Sequence, residues 1–193
     1  MSAKQQIINN LVVSADFSAT SKITFTFYDV QHECEIKFPA HSWDLARKAG
    51  YTFNQVLDNT LEKTFDFLLW ILQFDFDPES HNFYIKKIVL SSLWRPKTSG
   101  TSPHEHGRGL DIIKIDPSIG NSIICNINST DEEDVYLIKL RDAAFAAKFI
   151  TQYFSPWKMY FYDSSGVLHD GINTRTSELE KIHLDHVHFT ITK

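Results

Sequence analysis

The spacing of apolar residues along the chain predicts a mixture of strands and helices. Residues 22–38 alternate apolar and polar positions in two short runs around residues 29–31, which predicts a β-hairpin with one buried face. Residues 52–74 carry apolar side chains at every third or fourth position, which predicts one amphipathic helix with Thr52 as its N-cap. Residues 83–90 predict a strand that leads into a loop containing proline and glycine.

The second half of the chain continues this mixture. Residues 109–115 predict a strand closed by Asp116-Pro117, and residues 135–153 predict a second helix. Acidic residues at 131–134 precede that helix, where they suit the positive end of its dipole. Residues 157–162 and 185–192 predict two further strands, and residues 164–180 predict a polar surface loop. The whole pattern predicts an α+β fold with a mainly antiparallel sheet and flanking helices.

The composition provides enough apolar residues for a sizeable core, and the charge gives no reason to expect a nucleic-acid partner. Of 193 residues, 42% are hydrophobic and 13% aromatic, which suffices for a core of ordinary size. The formal net charge is −5 and the basic residues are scattered, so we expect no nucleic-acid partner. Cys34 and Cys125 are far apart and form no CxxC pair, so we expect buried thiols rather than a disulfide framework or metal site.

The chain is expected to be made in the cytoplasm without a secretory signal. Its N-terminus has only the short apolar run at residues 11–13, whereas a signal peptide needs ~7–15 apolar residues. The strongest apolar stretch, residues 65–76, is interrupted by polar side chains and is shorter than the ~20 residues of a membrane span. If the protein acts at a cell wall or in the periplasm, other machinery must deliver it; otherwise it stays cytoplasmic.

Two histidine-containing segments carry the candidate chemistry, the first of which is residues 102–111. It places His104 and Asp111 seven residues apart, so a loop and the following strand can bring both side chains to one point. Gly107 and Gly109 lie between them and permit a sharp turn and a close approach of the backbone.

The second segment is residues 183–188, which read His-x-x-His-x-His. On a strand, alternate side chains share a face, so His186 and His188 project together. Two imidazoles and one carboxylate form a ligand set typical of catalytic zinc, which keeps its fourth position for water.

These segments resemble motifs of the LAS zinc metallopeptidases, a superfamily that includes lysostaphin-type endopeptidases, D-Ala-D-Ala peptidases and the hedgehog signalling domain. Residues 102–111 resemble its SxHxxGxxxD signature, and the closing HxxHxH is similar to that of penicillin-insensitive murein endopeptidases. Asp185 also meets the spacing of the acidic residue that precedes the last ligand in D-Ala-D-Ala peptidases. Residues 92–95 resemble the Ser-x-x-Arg motif that lies at the end of a strand in the same peptidases. The resemblance covers about residues 88–115 and 183–192 and does not extend to the first 80 residues.

The resemblance implies a hedgehog/D-Ala-D-Ala-peptidase-like fold with one zinc ion in the cleft of the sheet. His104, Asp111 and His188 would be the ligands, and zinc would polarise the scissile carbonyl and acidify a water molecule. His186 or Asp185 would be the general base. Both candidates stay open, although His186 shares the strand face of the last ligand.

Further roles follow from the same resemblance. Arg95 would stabilise the developing oxyanion, and its alternative is a surface arginine or ion-pair partner. His183, Ser102 and Trp94 are expected to contact substrate; His183 would otherwise support the ligands, and Trp94 would otherwise join the core. His106 is a less fitting alternative ligand. The remaining histidines are expected at the surface and the other tryptophans in the core: His32, His41, His81, His169, Trp43, Trp70 and Trp157.

We therefore expect a zinc-dependent peptidase that hydrolyses an amide bond in peptidoglycan cross-links or stem peptides, as an endopeptidase or a carboxypeptidase. Two alternatives are a non-catalytic zinc-binding module and a peptidase acting on small D-amino-acid peptides. An endolysin-like enzyme without a signal would depend on a holin, a tail or a secretion apparatus. Residues 81–193 are expected to be the metallopeptidase core, with residues 1–80 as an extension or as part of one domain overall.

Overall fold

The protein has an α+β fold in which all ten described strands join one mixed, mainly antiparallel sheet, in agreement with the α+β class and mainly antiparallel sheet predicted from the sequence. The computed structural model describes residues 1–76, 78–79, 82–97, 102–128, 133–173 and 183–193. Within these residues the helices are α1 (Ala3–Asn9), α2 (Asp44–Lys48), α3 (Phe53–Asn59), α4 (Glu62–Leu72) and α5 (Val135–Ala146), with 3-10 helices at Ala40–Trp43 and Pro103–His106. The strands are β1 (Val12–Val13), β2 (Ala19–Phe27), β3 (Val30–Phe38), β4 (Ile85–Ser92), β5 (Gly109–Pro117), β6 (Ile123–Ile124), β7 (Ile150–Phe154), β8 (Lys158–Tyr162), β9 (Leu168–Asn173) and β10 (Val187–Ile191).

The strand order explains how distant parts of the chain meet. The sheet runs β1-β2-β3-β4-β5-β10-β7-β8-β9, and β6 pairs with β5 beside this path. Only β3 and β4 pair in parallel among the described strands; the other pairs are antiparallel. The parallel pair joins the first 80 residues to the rest of the sheet, with Ile36 opposite Ile88. The last strand, β10, inserts between β5 and β7 at the centre of the sheet.

The predicted hairpin forms, and its turn is tight. β2 and β3 are joined at Tyr28 and Asp29, whose φ angles of 48° and 60° are both positive. Positive φ at both central residues is the geometry of a type I′ turn, which matches the right-handed twist of paired strands. Inward-facing side chains alternate along both strands, so one face of the hairpin is buried.

The single helix predicted for residues 52–74 is wrong, because the segment forms two helices. Thr52 does cap the first, α3, through a reciprocal capping box with Gln55. The chain then becomes extended at Thr60, and α4 begins two residues later. The break is used for a tertiary contact: the Leu61 amide donates to the Gly107 carbonyl at 3.1 Å. Apolar periodicity continues across the break, so the sequence pattern does not reveal it.

The helix predicted for residues 135–153 is also too long. It ends at Ala146, Lys148 takes a left-handed φ of 57°, and Ile150–Phe154 forms strand β7. Asp134 caps the helix by accepting from the Tyr136 amide. The predicted surface loop at 164–180 is wrong in part, because Leu168–Asn173 forms strand β9. Residues 174–182 and 129–132 lie outside the described residues.

The four other predicted strands are confirmed to within two residues at each end. They correspond to β4, β5, β8 and β10. On β10, Phe189 packs against Phe67 of α4, 5.2 Å between ring centroids. His188 and Thr190 alternate with Phe189 along the strand and therefore belong to the opposite face.

The core lies between the sheet and its helices. Trp43 and Trp157 are buried within it and Trp70 packs against it, as expected. Cys34 and Cys125 are buried free thiols, and burial raises the pKa of each, that of Cys34 to about 12. Among the described residues, no helix has the length and apolar character needed to cross a membrane.

Candidate metal centre

The site begins with a cross-strand pair at the centre of the sheet. Asp111 on β5 lies directly opposite His188 on β10 in the antiparallel register. Directly opposed side chains in such a pair start only ~4.5–5.5 Å apart at Cβ. Here the His188 Nδ1 and the Asp111 Oδ1 are 2.6 Å apart, and both residues are buried.

His104 reaches this pair from the 3-10 helix Pro103–His106, which ends at a left-handed Gly107 with φ 68°. A Cβ at Gly107 would lie 2.4 Å from the Asn59 carbonyl oxygen, so only glycine fits against the break between α3 and α4. A Cβ at Gly109 would lie 2.4 Å from the His104 Nδ1, so the imidazole packs flat on this glycine. The two glycines singled out in the sequence thus place the His104 ring.

The hydrogen bonds of His104 determine which of its nitrogens faces the site. Its Nδ1 lies 2.5 Å from the Leu93 carbonyl oxygen, which can only accept. Nδ1 must therefore carry the proton and donate it to Leu93. Nε2 is left with a bare lone pair, and it lies 3.2 Å from the Asp111 carboxylate.

His188 is oriented through its other nitrogen. The Thr190 hydroxyl donates to the Gln152 Oε1 at 2.6 Å, so its oxygen is available to accept from the His188 Nε2, which is 2.9 Å away. Nε2 then carries the proton, and the His188 Nδ1 presents its lone pair to the site. Such outer partners of a histidine are typical of metal sites, where they fix the tautomer of the ligand.

When both imidazoles are neutral, three electron-pair donors therefore converge with no proton between them. The His104 Nε2 and the His188 Nδ1 are 3.2 Å apart, and both contact the Asp111 carboxylate. Two bare nitrogens and a carboxylate at such distances repel one another unless a cation, either a metal ion or a proton, lies between them. This buried group could hold a metal ion, and the donor set of two imidazoles and one carboxylate fits one.

The ionisation of the group agrees with a ligand role. Burial by itself raises the pKa of Asp111, but the positive charges and hydrogen bonds that His104 and His188 offer when they are protonated outweigh it and hold the pKa well below its ordinary value. A metal ion would supply positive charge in place of these protons. Burial lowers the pKa of His188, and the attraction of Asp111 offsets this only in part. An anionic carboxylate and a neutral imidazole are the forms that bind a metal.

His186 and Asp185 lie just before β10, on the rim of the candidate metal centre. The His186 Nδ1 is 2.8 Å from the Asp185 Oδ1, and its Nε2 is 3.9 Å from the Asp111 Oδ1. The side chain of His186 is 13% exposed and that of Asp185 is 74% exposed. His186 therefore turns one nitrogen toward the ligands, while Asp185 contacts its other nitrogen from the solvent side.

Of the four remaining predicted site residues, three line the cavity that contains His104, Asp111 and His188, and Trp94 does not. The Arg95 Nη2 is 3.9 Å from the Asp111 Oδ2, and Arg95 and Ser102 line the same cavity as the ligands. His183 is buried beside the His188 and His186 rings. Trp94 is not among the described residues that line this cavity: its indole packs edge-on against Tyr51, 5.0 Å between ring centroids.

The cavity above the ligands has a volume of about 600 Å³. One of its walls comes from the 3-10 helix Ala40–Trp43 and from Leu45, in the part of the chain for which no site residue is predicted. Trp43 anchors this wall, because its indole N–H donates to the Phe17 carbonyl at 2.8 Å. His41 and Leu45 are exposed within it. No local sequence signal marks this segment, which joins the site only through the fold.

The other histidines lie apart from the ligand group. His106 is exposed on the loop that carries His104, and the described ligand group does not include it. His32 packs against Tyr84, and His169 contacts Asp163 at 3.0 Å. His81 lies outside the described residues.

No protein-family model, curated protein or solved structure gives a significant match to this chain.

Proposed function

We propose that this protein is a zinc-dependent peptidase of the LAS type that hydrolyses an amide bond in peptidoglycan. The convergence of the His104 Nε2, the His188 Nδ1 and the Asp111 carboxylate supports the metal, since these donors are buried together at distances that a metal ion could bridge. Nitrogen and carboxylate ligands in a set of three favour zinc over calcium or magnesium, which take oxygen ligands in larger number. The peptidoglycan substrate is supported by the resemblance of the two histidine segments.

A bound zinc would supply Lewis-acid chemistry, polarising a carbonyl and bringing the pKa of a water molecule near ~7. The residues of the chain supply the rest. The His186 Nε2 is the nitrogen on the ligand side, so it would take a proton from water and pass it to the leaving amine. Asp185 would orient His186 through the contact at Nδ1. This favours His186 over Asp185 as the base.

Arg95 completes the proposed reaction site. Its guanidinium lies 3.9 Å from the buried Asp111 carboxylate and its side chain is 37% exposed, so it can turn toward a substrate in the cavity. A fixed positive group beside a carbonyl stabilises the charge that develops on the oxygen, and loss of one such donor typically costs ~10²–10³ in rate.

Purified sacculi incubated with the zinc-loaded protein test the proposal. We expect new muropeptides by chromatography and mass spectrometry. His186→Ala should retain zinc but lose about 10²–10⁴ in rate, because a general base contributes that much. His106→Ala is the matched control on the loop of His104 and should cleave at the wild-type rate.

Two results would contradict the proposal. If the muropeptides stay unchanged while zinc fully occupies the site, the protein would be a zinc-binding module rather than a hydrolase. If the protein cleaves free D-Ala-containing dipeptides but not intact sacculi, it would be a peptidase with a different substrate.

A further inference from the structure

Gln152 lines the cavity above the ligands, and no step of the proposed reaction uses it. It lies on β7, directly opposite Thr190 of β10 in the antiparallel register. Its neighbour Tyr153 packs against Phe189, 5.2 Å between ring centroids, on the core face of the sheet. Because adjacent residues of a strand point to opposite faces, Gln152 projects from the face that carries His188 and Thr190.

The side-chain oxygen of Gln152 ends a hydrogen-bond chain that begins at a candidate ligand. When the His188 Nδ1 offers its lone pair to a metal ion, the Nε2 carries the proton and donates to the Thr190 Oγ1 at 2.9 Å. The Thr190 hydroxyl then needs an acceptor for its own proton, and it donates to the Gln152 Oε1 at 2.6 Å. Gln152 is therefore placed to hold His188, through Thr190, in the tautomer that binds a metal.

The side-chain nitrogen of Gln152 is left for a ligand. Because the Oε1 accepts from Thr190, the Nε2 with its two N–H groups lies at the other end of the amide, and it donates to no acceptor among the described residues. The side chain is half-buried in the wall of the cavity. An amide N–H group can only donate, so the ligand group that fits it is an acceptor oxygen. In a peptide, the backbone carbonyl oxygens are such acceptors.

Gln152 and Arg95 lie on opposite sides of the ligand pair. Asp111, His188 and Gln152 belong to β5, β10 and β7, which are successive neighbours in the sheet. The Arg95 Nη2 is 3.9 Å from the Asp111 Oδ2, at one end of this row, and Gln152 lies at the other end. A peptide whose scissile carbonyl is near Arg95 therefore meets Gln152 at a different peptide unit.

We propose that Gln152 has two roles in this site. Its Oε1 positions the ligand His188 through Thr190, and its Nε2 binds a backbone carbonyl oxygen of the peptide beside the scissile bond. The inference rests on the proposed peptidase function and adds to it a positioning residue for the metal that also binds substrate. One amide group would thus connect substrate binding to the support of the metal.

Two substitutions separate the oxygen of the Gln152 amide from its nitrogen. Gln152→Glu keeps an oxygen that accepts from Thr190 and removes both N–H donors. Gln152→Met has a side chain of similar length and removes the oxygen and the nitrogen together. Gln31→Glu is the matched control, because Gln31 is exposed on the hairpin strand β3 and does not line the cavity.

Zinc titration measures the role of the oxygen. Gln152→Glu should bind zinc at least as tightly as the wild type, because a carboxylate still accepts from Thr190 and its charge favours a nearby cation. Gln152→Met should bind zinc about ten-fold more weakly, at the lower end of the ~10–100-fold typical of outer partners. Gln31→Glu should bind zinc as the wild type does. Wild-type zinc affinity in Gln152→Met would overturn the positioning role.

Kinetics with a soluble stem pentapeptide measure the role of the nitrogen. Gln152→Glu should raise KM about ten-fold, because it loses a hydrogen bond and brings a negative charge to a carbonyl oxygen. The loss should appear in KM rather than in kcat, since this carbonyl is bound equally before and during the reaction. A merely structural defect would instead weaken zinc binding and lower kcat. Gln31→Glu should leave KM unchanged.

Calorimetry measures the same contact without hydrolysis. In zinc-loaded His186→Ala, adding Gln152→Glu should weaken binding of the pentapeptide about ten-fold, and adding Gln31→Glu should leave it unchanged. Unchanged pentapeptide affinity on adding Gln152→Glu, or no pentapeptide binding to His186→Ala at all, would overturn the role of the nitrogen.

The outcomes separate this inference from the proposed function. Wild-type KM and pentapeptide affinity in the Gln152→Glu variants, with hydrolysis by the wild type, would overturn the binding role and leave the peptidase intact. Pentapeptide binding that Gln152→Glu weakens, with no hydrolysis by the wild type, would overturn the peptidase and support the binding role. A wild-type protein that binds neither zinc nor the pentapeptide would overturn both.

Discussion

Replacing Gly109 by alanine tests whether the geometry of the His104 ring controls metal binding. The added Cβ would lie 2.4 Å from the ring Nδ1 and 2.5 Å from Cγ and Cε1, whereas ordinary contacts are 3.4–4 Å. The ring must therefore retreat by about 1 Å, five times the ~0.2 Å tolerance of a metal–ligand distance. The retreat also strains the bond from Nδ1 to the Leu93 carbonyl. We expect zinc affinity to fall by at least the ~10–100-fold that follows loss of an outer partner.

The assay is a zinc titration in competition with a chromophoric chelator, with urea denaturation of the metal-free protein alongside. Gly166→Ala is the control, because Gly166 has a φ of 77° but open space around its Cβ position. It should cost about 1–2 kcal/mol of stability for the left-handed backbone and leave zinc affinity unchanged. Wild-type zinc affinity in Gly109→Ala would show that the position of the His104 ring does not control metal binding.

Three further predictions concern the support of the site and the core. Thr190→Val removes the acceptor for the His188 Nε2–H, and we expect zinc affinity to fall ~10–100-fold in the same titration. Arg141→Met leaves the carboxylate of Glu133 buried without its cation at 3.3 Å, and urea denaturation should show a loss of about 3–5 kcal/mol. Burial raises the pKa of Cys34 from 9.0 to about 12, so the unfolded thiol ionises first as the pH rises. The free energy of unfolding should therefore fall between pH 9 and 12, by up to ~1.4 kcal/mol per pH unit for this thiol.

Each of these predictions has its own control. Thr192→Val removes an exposed hydroxyl that donates to the Lys148 carbonyl, and unchanged zinc affinity is expected; equal loss in both threonine variants would contradict the role of Thr190. Adding Glu133→Gln to Arg141→Met should recover part of the stability, and failure to do so would place the loss elsewhere. The free energy of unfolding of Cys34→Ala should fall less above pH 9 than that of the wild type. If the free energy of unfolding falls with pH at the same rate in both proteins, the Cys34 thiol is not the cause of the decrease.

Much of the candidate metal centre could be predicted because its information is local. The alternation in residues 183–188 and the two glycines at 107 and 109 each limit a few neighbouring residues. That His188 would lie opposite Asp111 depends on strand pairing between positions 77 residues apart, which no local pattern encodes. The order of the strands therefore required the structure.

The wrong predictions arise where a long-range contact overrides a local period. The apolar period runs unbroken from α3 into α4, while the Gly107 carbonyl accepts from the Leu61 amide at the break between them. Ile150 and Tyr153 are three residues apart, which continues the helical period, so only pairing with neighbouring strands makes this segment a strand. His41 joins the cleft through the packing of its 3-10 helix on the sheet, for which the sequence gives no signal.

We propose that two imidazoles and one carboxylate hold one zinc ion in this fold. The most direct measurement is the zinc content of the purified protein after dialysis against zinc and then against metal-free buffer, determined by elemental analysis. We expect about one zinc per wild-type chain and per His106→Ala chain, and almost none for His104→Ala or His188→Ala with the fold retained by circular dichroism. Wild-type protein without zinc, or His104→Ala and His188→Ala variants that retain it, would show that these residues do not form a zinc site.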